Sequence, residues 1–338
     1  MAMTLYYSAE EKMTKHDRIA GGLYGLLIGD ALGVPYEFYP AEELPCYEEI
    51  EMVPPAGFRR SHSTVKPGTW SDDGAQALCL LDILQKQKKF SLKDFSDALS
   101  SWYENGLWAV DGVVFDVGIQ TANGLRAYKK GLPPEKCGLL NPDGKGNGAL
   151  MRVLPLVLWH NGFEEEGSGE RGRSRIWKGS REKALVLDAH EQCLVTHGHI
   201  CNQVCCALYC LVAQALLDGR GITDAIEDGV RILRGIYRDM PEYEQELEWS
   251  VRPDLPWEGG GSGYVVDCLR SAFMVLEQTS SYEEAVKRAV LLGNDTDTTA
   301  CVAGGLAGIY YGRQGIPERW ISMLRGREKV EALLAEIL

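Results

Sequence analysis

The chain has 338 residues, of which 45% are hydrophobic and 25% are charged, the composition of an ordinary globular protein. These proportions exclude a disordered chain, a collagen and a small disulfide scaffold. Its 35 Lys and Arg residues against 48 Asp and Glu residues give a formal net charge of −13. Because such a field repels phosphate, we expect no direct binding to nucleic acid or to an anionic membrane.

The chain start and the cysteines predict a cytoplasmic protein. Residues 1–15 form a polar extension of mixed charge without the apolar segment of a signal peptide. No apolar run approaches the roughly 20 residues that span a bilayer. Five of the ten cysteines fall between Cys193 and Cys210 without paired C-x-x-C units, so we expect buried free thiols there, as in a reducing compartment.

The first predicted helix, residues 18–32, has apolar residues at helical spacing. Its four glycines lower helix propensity, and we expect them only where other backbones pack closely against the helix. A second helix is predicted over 72–88. Further helices are predicted over 91–105, 115–130, 148–161, 181–196, 200–218, 222–238, 264–279, 281–292, 297–311 and 326–337, and only short pieces such as 49–53 fit a strand. The pattern predicts an all-α bundle forming one domain over 16–338.

Three long segments lack a helical period. They are residues 40–70, 164–181 and 240–263. Long segments without regular structure are uncommon in compact domains unless they serve a function, so residues 40–68 and 240–263 are expected to contribute to specificity.

Two acidic clusters each precede a predicted helix. The first is Gly-Thr-Trp-Ser-Asp-Asp-Gly over 68–74, and the second is Gly-Asn-Asp-Thr-Asp-Thr-Thr over 293–299. Each alone is explained by helix capping through Ser71 or Asn294. Together they supply four carboxylates and two alcohols, the oxygen ligands of Mg²⁺ or Mn²⁺. The second cluster also matches the D-x-D-x-T loop of dehalogenase-type phosphatases, but that loop follows a buried strand in an α/β fold.

An ordered set of motifs resembles the ADP-ribosylglycohydrolase family over about residues 16–325. The matching stretches are 18–33, 35–37, 70–73, 115–118, 146–152, 196–197, 263–267 and 293–298. The resemblance implies an orthogonal all-α bundle around a binuclear metal site. It also implies a glycosidase that removes ADP-ribose.

The resemblance assigns metal ligands and one catalytic acid. The implied ligands of two Mg²⁺ ions, with Mn²⁺ as the alternative, are Ser71, Asp72, Asp73, Asp295, Asp297 and Thr298. Asp297 is expected to bridge the ions, and Glu37 to manage the attacking water or the leaving group. From its spacing alone, Glu37 is equally a solvated loop acid. Asp30 is expected to be structural. The chain departs from the family in having Ser71 and Gly74 where Thr is usual.

The resemblance also implies a substrate pocket. Its residues are Asp116, Gly146, Asn147, Gly148, Met151, His197 and Tyr264. The glycine-rich loop is expected to lie against a diphosphate and ribose, because such a loop before a helix aims N–H groups at phosphate. A plain turn for the loop, a core position for His197 and a helix N-cap for Asp116 remain the alternatives.

The expected function is hydrolysis of an ADP-ribosyl bond to a protein arginine or serine, or of a small ADP-ribose ester. The expected partner is therefore ADP-ribose or an ADP-ribosylated protein. A binding protein that retains the pocket without turnover is the main alternative, and a dehalogenase-type phosphatase is the weaker one.

Overall fold

The computed structural model describes residues 13–140, 143–162 and 180–338. Most of the predicted extension (1–15) and most of the predicted loop 164–181 lie outside these described residues. Within them the chain forms fourteen α-helices and no strand, which confirms the all-α prediction. The helices are α1 (Lys15–Gly33), α2 (Asp72–Gln87), α3 (Leu92–Asn105), α4 (Ile119–Lys129), α5 (Pro155–Gly162), α6 (Arg181–Glu191), α7 (Ile200–Leu217), α8 (Ile222–Tyr237), α9 (Pro241–Gln245), α10 (Val265–Gln278), α11 (Tyr282–Val290), α12 (Thr296–Tyr311), α13 (Glu318–Met323) and α14 (Arg327–Leu334).

The structure corrects several predicted boundaries. Residues 49–53 are not a strand, because Tyr47–Glu49 forms a 3-10 turn followed by bends. The helix predicted over 148–161 begins only at Pro155. The preceding residues form turns, one of which is closed by a hydrogen bond from the Leu150 N–H to the Asn147 carbonyl. The helix predicted over 115–130 begins at Ile119.

Helices α1 and α12 pack backbone against backbone in antiparallel directions. A Cβ atom on Gly21 would lie 2.1 Å from the Gly308 carbonyl oxygen, and one on Gly29 would lie 2.1 Å from that of Ala300. A Cβ on Gly33 would lie 2.4 Å from the Asp297 Cα. The glycines therefore do mark a close backbone contact, as predicted, and this contact brings the end of α1 to the start of α12.

Two helical stretches, Lys15–Tyr36 and Ile200–Leu217, are long and apolar enough to cross a membrane by length and composition alone. This corrects the expectation that no such run exists. The apolar window of the first is 100% buried and that of the second 89% buried, which is typical of core helices. The second carries Cys201, Cys205, Cys206 and Cys210, all buried and free, as predicted.

Candidate active site

The first acidic cluster forms the N-terminus of α2. Asp30 of α1 is fully buried and accepts hydrogen bonds from the Ser71 N–H at 2.8 Å and the Gly74 N–H at 2.8 Å. Ser71 Oγ accepts a hydrogen bond from the Asp73 N–H at 3.3 Å and so caps the helix. Asp30 is thus a structural acid, as predicted, that fixes the backbone on which Asp72 and Asp73 stand.

Gly74 occupies a position without room for a larger side chain. A Cβ there would lie 2.7 Å from Leu27 Cδ2 and 2.9 Å from Trp70 Cβ. The usual family Thr would therefore require the surrounding core to move. The absence of a side chain at Gly74 therefore leaves the room that Leu27 and Trp70 occupy.

The second cluster forms the N-terminus of α12. Asp297 is fully buried, and its Oδ1 accepts a hydrogen bond from the Thr298 N–H at 2.8 Å. Asp295 Oδ2 accepts one from Asn147 Nδ2 at 2.9 Å. Capping by Asn294 is wrong, because Asn294 has a left-handed backbone with φ 60° and its side chain donates to the Gly260 carbonyl.

The two helix N-termini face each other. Thr298 Oγ1 lies 3.5 Å from Asp73 Oδ1, although the two residues are 225 positions apart in the chain. Asp73 Oδ2 and Asp297 Oδ2 are buried carboxylate oxygens without a hydrogen-bond partner among the described residues. Five of the six predicted ligands are buried side chains, and the sixth, Asp295, is partly buried.

Glu37, His62 and Asp116 lie together beside these clusters. Glu37 follows α1 through the turn Val34–Tyr36 and is 4% exposed. Its Oε2 lies 2.7 Å from His62 Nε2, and His62 Nε2 lies 3.8 Å from Asp116 Oδ1. Asp116 does not cap α4, since it precedes the Gly118 N-cap and has φ 55°. The structure thus makes Glu37 a buried site acid instead of a solvated loop acid.

Burial and mutual repulsion raise the pKa values of these acids. Burial raises the pKa of Glu37 to about 8 and that of Asp30 to about 7. Burial, together with the charges of neighbouring acids, raises the pKa values of Asp72, Asp73 and Asp297 well above the usual range. Burial also raises the pKa of Asp116. Ionising this many buried carboxyl groups costs free energy unless a bound cation balances their negative charge.

The acids meet the requirements of a hard metal site. Ligand atoms of Glu37, Asp295 and Asp297 lie within 4.8 Å of one another, as do those of Glu37, His62 and Asp116. The two partnerless oxygens, Asp73 Oδ2 and Asp297 Oδ2, are buried acceptors that a cation satisfies. The residues present therefore fit divalent metal ions.

A buried polar chain connects the first cluster to His197. Gln76 Nε2 donates to Asp72 Oδ2 at 3.0 Å, and Arg152 Nη1 donates to Gln76 Oε1 at 2.7 Å. Arg152 Nη2 then donates to Thr196 Oγ1, which lies 2.8 Å from His197 Nδ1. Burial lowers the pKa of His197 to about 3, so this imidazole is neutral. His197 is thus buried and neutral, and its predicted contact with substrate stays a prediction.

The loop 146–148 lies on the His197 ring but differs from the expected phosphate cradle. The Gly146 N–H donates to Gln120 Oε1 at 2.9 Å, and the Asn147 N–H donates to the Gly263 carbonyl at 3.0 Å. These two donors are engaged within the protein, and the loop does not open a helix. A Cβ on Gly148 would lie 2.7 Å from His197 Cε1, so glycine allows the loop to rest on the ring.

Tyr264 borders an open cavity, whereas Met151 is buried. Tyr264 pairs with Gly146 in an antiparallel bridge, is 40% exposed and lines a cavity of about 410 Å³. Met151 is a core residue whose carbonyl accepts from Cys301 Sγ. Its side chain is thus in the core, and its predicted contact with substrate stays a prediction.

Sequence reasoning missed His62, Gln76 and Gln120. His62 lies in the long Pro- and Gly-rich segment already expected to be functional, which is the one signal that pointed to it. Gln76 and Gln120 lie one helical turn or less from predicted site residues, but their partners, Arg152 and Gly146, are distant in sequence.

Comparison with known proteins decides the family. A family model described as ADP-ribosylglycohydrolase matches residues 11–338. The chain belongs to the ADP-ribosylglycohydrolase family. ADP-ribosylarginine hydrolase Tri1 of Pseudomonas putida (strain GB-1) is 30% identical over 325 residues, which cover 95% of this chain and 78% of that protein. ADP-ribosyl-dinitrogen reductase glycohydrolase of Rhodospirillum rubrum is 28% identical, covering 95% of this chain and 96% of that protein.

Structural similarity agrees with the family. A solved structure described as an ADP-ribosylglycohydrolase-related protein complex has a TM-score of 0.72 and 30% identity, and the match covers 96% of this chain and 97% of that one. The expectation of a glycosidase that removes ADP-ribose is confirmed at the level of the family. The phosphatase alternative is wrong, because Asp295 precedes helix α12 in an all-α fold and does not follow a buried strand.

Proposed function

We propose that the chain is a metal-dependent hydrolase that cleaves the bond between ADP-ribose and an arginine side chain of a protein. The observation that carries the proposal is the convergence of the acidic N-termini of α2 and α12 beside Glu37, in a member of this family. Support for arginine comes from relatives named ADP-ribosylarginine hydrolase, which match 95% of the chain at 30% and 28% identity. The acids Glu37 and Asp116 also suit a cationic guanidinium leaving group.

We assign two divalent ions, Mg²⁺ or Mn²⁺, to the facing clusters. The ligands are Asp72, Asp73, Asp295 and Asp297, with the hydroxyls of Ser71 and Thr298. Asp297, expected from the family resemblance to bridge the ions, would hold them through an Oδ2 that has no hydrogen-bond partner among the described residues. Bound there, divalent ions supply Lewis-acid stabilisation of negative charge on oxygen.

Glu37 is the proton acceptor for the attacking water. Its carboxyl group is 4% exposed and lies at the edge of the metal cluster, where a carboxylate can accept a proton from water. The bond between the anomeric carbon and the guanidinium nitrogen breaks, and neutral guanidine leaves with the electron pair. Water bonds to the oxocarbenium-like carbon, whose positive charge the surrounding carboxylates stabilise, and gives a proton to Glu37 that then passes to the guanidine. We assign Asp116, which lies beside His62 and Glu37, to binding of the substrate ribose. Tyr264 borders the cavity that we assign to the rest of ADP-ribose.

The test compares three substrates: ADP-ribosyl-arginine on a protein, ADP-ribosyl-serine on a peptide, and an acetyl ester of ADP-ribose, each with Mg²⁺, with Mn²⁺ and with chelator. We expect metal-dependent release of ADP-ribose that is fastest from arginine. Glu37→Gln should reduce kcat by about 10²–10⁴-fold while free ADP-ribose still binds. The matched control is Glu42→Gln, an exposed acid of the following turn, which should retain activity.

Each contrary result points to a different function. Binding of ADP-ribose by calorimetry without turnover of any of the three substrates would indicate the binding-protein alternative. Preferred turnover of the serine or ester substrate would retain the hydrolase and reject the arginine linkage. Full activity of Glu37→Gln would remove Glu37 from the proton transfer.

A further inference from the structure

The segment 59–65 is attached to the backbone around Glu37. The Ser61 N–H donates to the Pro35 carbonyl at 3.0 Å, and Ser61 Oγ donates to the carbonyl of Glu37. Tyr39 Oη donates to the Arg59 carbonyl at 2.6 Å. Hydrogen bonds on both sides of Glu37 therefore fix this segment, which comes from the middle of a long irregular region, over the catalytic acid.

The segment brings the side chain of His62 to the carboxyl group of Glu37. His62 has a left-handed backbone with φ 47°, and its carbonyl accepts from the Val65 N–H at 2.8 Å. A non-glycine residue in this region is strained and is retained only where its surroundings impose it. The His62 ring contacts the rings of Phe38, at a centroid distance of 5.7 Å, and Phe115, at 5.2 Å. The backbone turn and the two rings together hold the imidazole.

The imidazole contacts one of the two carboxyl oxygens of Glu37. His62 Nε2 lies 2.7 Å from Glu37 Oε2, a hydrogen-bond distance. When Glu37 is ionised, the Nε2–H donates to Oε2 and restricts rotation of the carboxyl group. The other oxygen, Oε1, is then left for the reacting water.

We propose that His62 is a positioning residue that orients the Glu37 carboxylate through the Nε2–Oε2 hydrogen bond. This inference rests on the proposed role of Glu37. His62 acts through Glu37, so its loss lowers kcat more than it weakens substrate binding. Misplacement of a reacting group by about 1 Å costs rate on the order of 10²-fold, which sets the scale of the expected effect.

A role as a metal ligand is the main competing explanation. The ligand atoms of Glu37, His62 and Asp116 lie within 4.8 Å of one another. The hydrogen bond is favoured because Nε2 is at bonding distance from Glu37 Oε2, whereas it is 3.8 Å from Asp116 Oδ1. A ligand role predicts weaker metal binding on substitution, and a positioning role predicts none.

The experiment compares His62→Gln, His62→Asn and His62→Leu in the full chain with metal. The Gln amide reaches about as far as Nε2 and donates a hydrogen bond, whereas the Asn amide is one methylene shorter and does not reach. We expect His62→Asn and His62→Leu to lower kcat by about 10- to 100-fold with KM changed less than about threefold. His62→Gln should recover most of that loss. ADP-ribose and Mn²⁺ affinities, measured by calorimetry, should stay within about threefold in all three.

His160 provides the matched control. It is also a partly buried histidine next to a carboxylate, with Nε2 3.3 Å from Asp188 Oδ2, but on α5 and α6. His160→Gln should leave kcat unchanged. Melting temperatures of all variants show whether a lower kcat reflects loss of folded protein. If His62→Leu is unstable, the comparison of His62→Gln with His62→Asn still tests the proposal.

The contrary outcomes are distinct. Equal loss of kcat in His62→Gln and His62→Asn would exclude the hydrogen bond as the cause. A drop in Mn²⁺ affinity above tenfold would make His62 a ligand. If the unsubstituted chain turns over substrate and His62→Leu is equally active, the role of His62 is rejected and the proposed function stands. If the unsubstituted chain turns over no ADP-ribosyl substrate, the proposed function is rejected and the role of His62 with it.

Discussion

At the scale of single residues, capping and metal binding use the same side chains. Ser71 caps α2 through its Oγ, and the same oxygen belongs to the acidic cluster that faces α12. Asp297 differs, because its Oδ1 is engaged by the Thr298 N–H while its buried Oδ2 has no partner among the described residues. Ser71 Oγ therefore has a partner within the protein, whereas Asp297 Oδ2 remains available to a cation or a proton.

This difference predicts a contrast between two substitutions. Asp297→Asn removes a negative charge from the metal cluster, whereas Ser71→Ala removes only a dipole and a helix cap. We expect Asp297→Asn to weaken Mn²⁺ binding by at least tenfold more than Ser71→Ala, as measured by titration calorimetry. Ser71→Ala should mainly lower stability, by about 0.5–2 kcal/mol, the usual cost of losing a serine cap. Ser71→Thr, which keeps the hydroxyl, serves as the control. Equal metal affinities in Asp297→Asn and Ser71→Ala would remove Asp297 from the bridging position.

At the scale of helices, the sequence predicted the long elements and missed the short or non-local ones. Helices such as α7 were predictable because their apolar pattern extends over four turns or more. Helices α9 and α13, of five and six residues, are too short to show a period. The contact of His62 with Glu37 spans 25 residues of irregular chain, and no local pattern encodes it. The two acidic clusters were predicted to be close because their chemistry requires a shared ion.

Because α1 and α12 pack so closely, we predict that one methyl group added between them destabilises the folded protein. A Cβ on Gly29 would lie 2.1 Å from the Ala300 carbonyl oxygen, so Gly29→Ala must separate the two helices. We expect a loss of about 1–3 kcal/mol in the free energy of unfolding, measured with urea. Gly235→Ala, inside α8 with nothing within 4 Å of its Cβ, is the control and should be neutral or stabilising by up to about 1 kcal/mol. Equal stability of the two variants would contradict the tight contact.

At the scale of the whole molecule, a chain with a formal net charge of −13 concentrates several acids inside its bundle. Packing of α1 on α12 brings Asp297 to the end of α1, and Asp30 of the same helix fixes the start of α2. The site is thus assembled where α1 packs closely against α12, and metal binding and folding are linked through this contact. The electrostatic cost of the site in the absence of metal should be visible in global stability.

The sign of that cost follows from the raised pKa values. Glu37 has a folded-state pKa of about 8, against about 4.3 for an unfolded glutamate. Between these values the folded protein holds a proton that the unfolded chain does not. This contribution to stability is fully present below the unfolded pKa and is lost as pH rises through about 8. Metal ions compete with these protons, since they bind the ionised carboxylates.

We therefore predict that metal stabilises the protein more at pH 8.5 than at pH 7. The window lies above the ordinary histidine pKa of about 6.5, so unfolded histidines contribute little to the change. Unfolded cysteine thiols also ionise near pH 8.5, but they do so with and without metal and cancel in the difference. The measurement is the melting temperature with saturating Mg²⁺ minus that with chelator, at both pH values, for the unsubstituted chain and for Asp297→Asn. For each proton displaced by metal, the metal-dependent gain in the free energy of unfolding should grow by up to about 1.4 kcal/mol per pH unit, and the melting-temperature difference should grow with it. A metal effect that is constant with pH, or equal in Asp297→Asn, would mean that metal does not bind at the buried acids, because displacement of their protons is what makes the effect depend on pH.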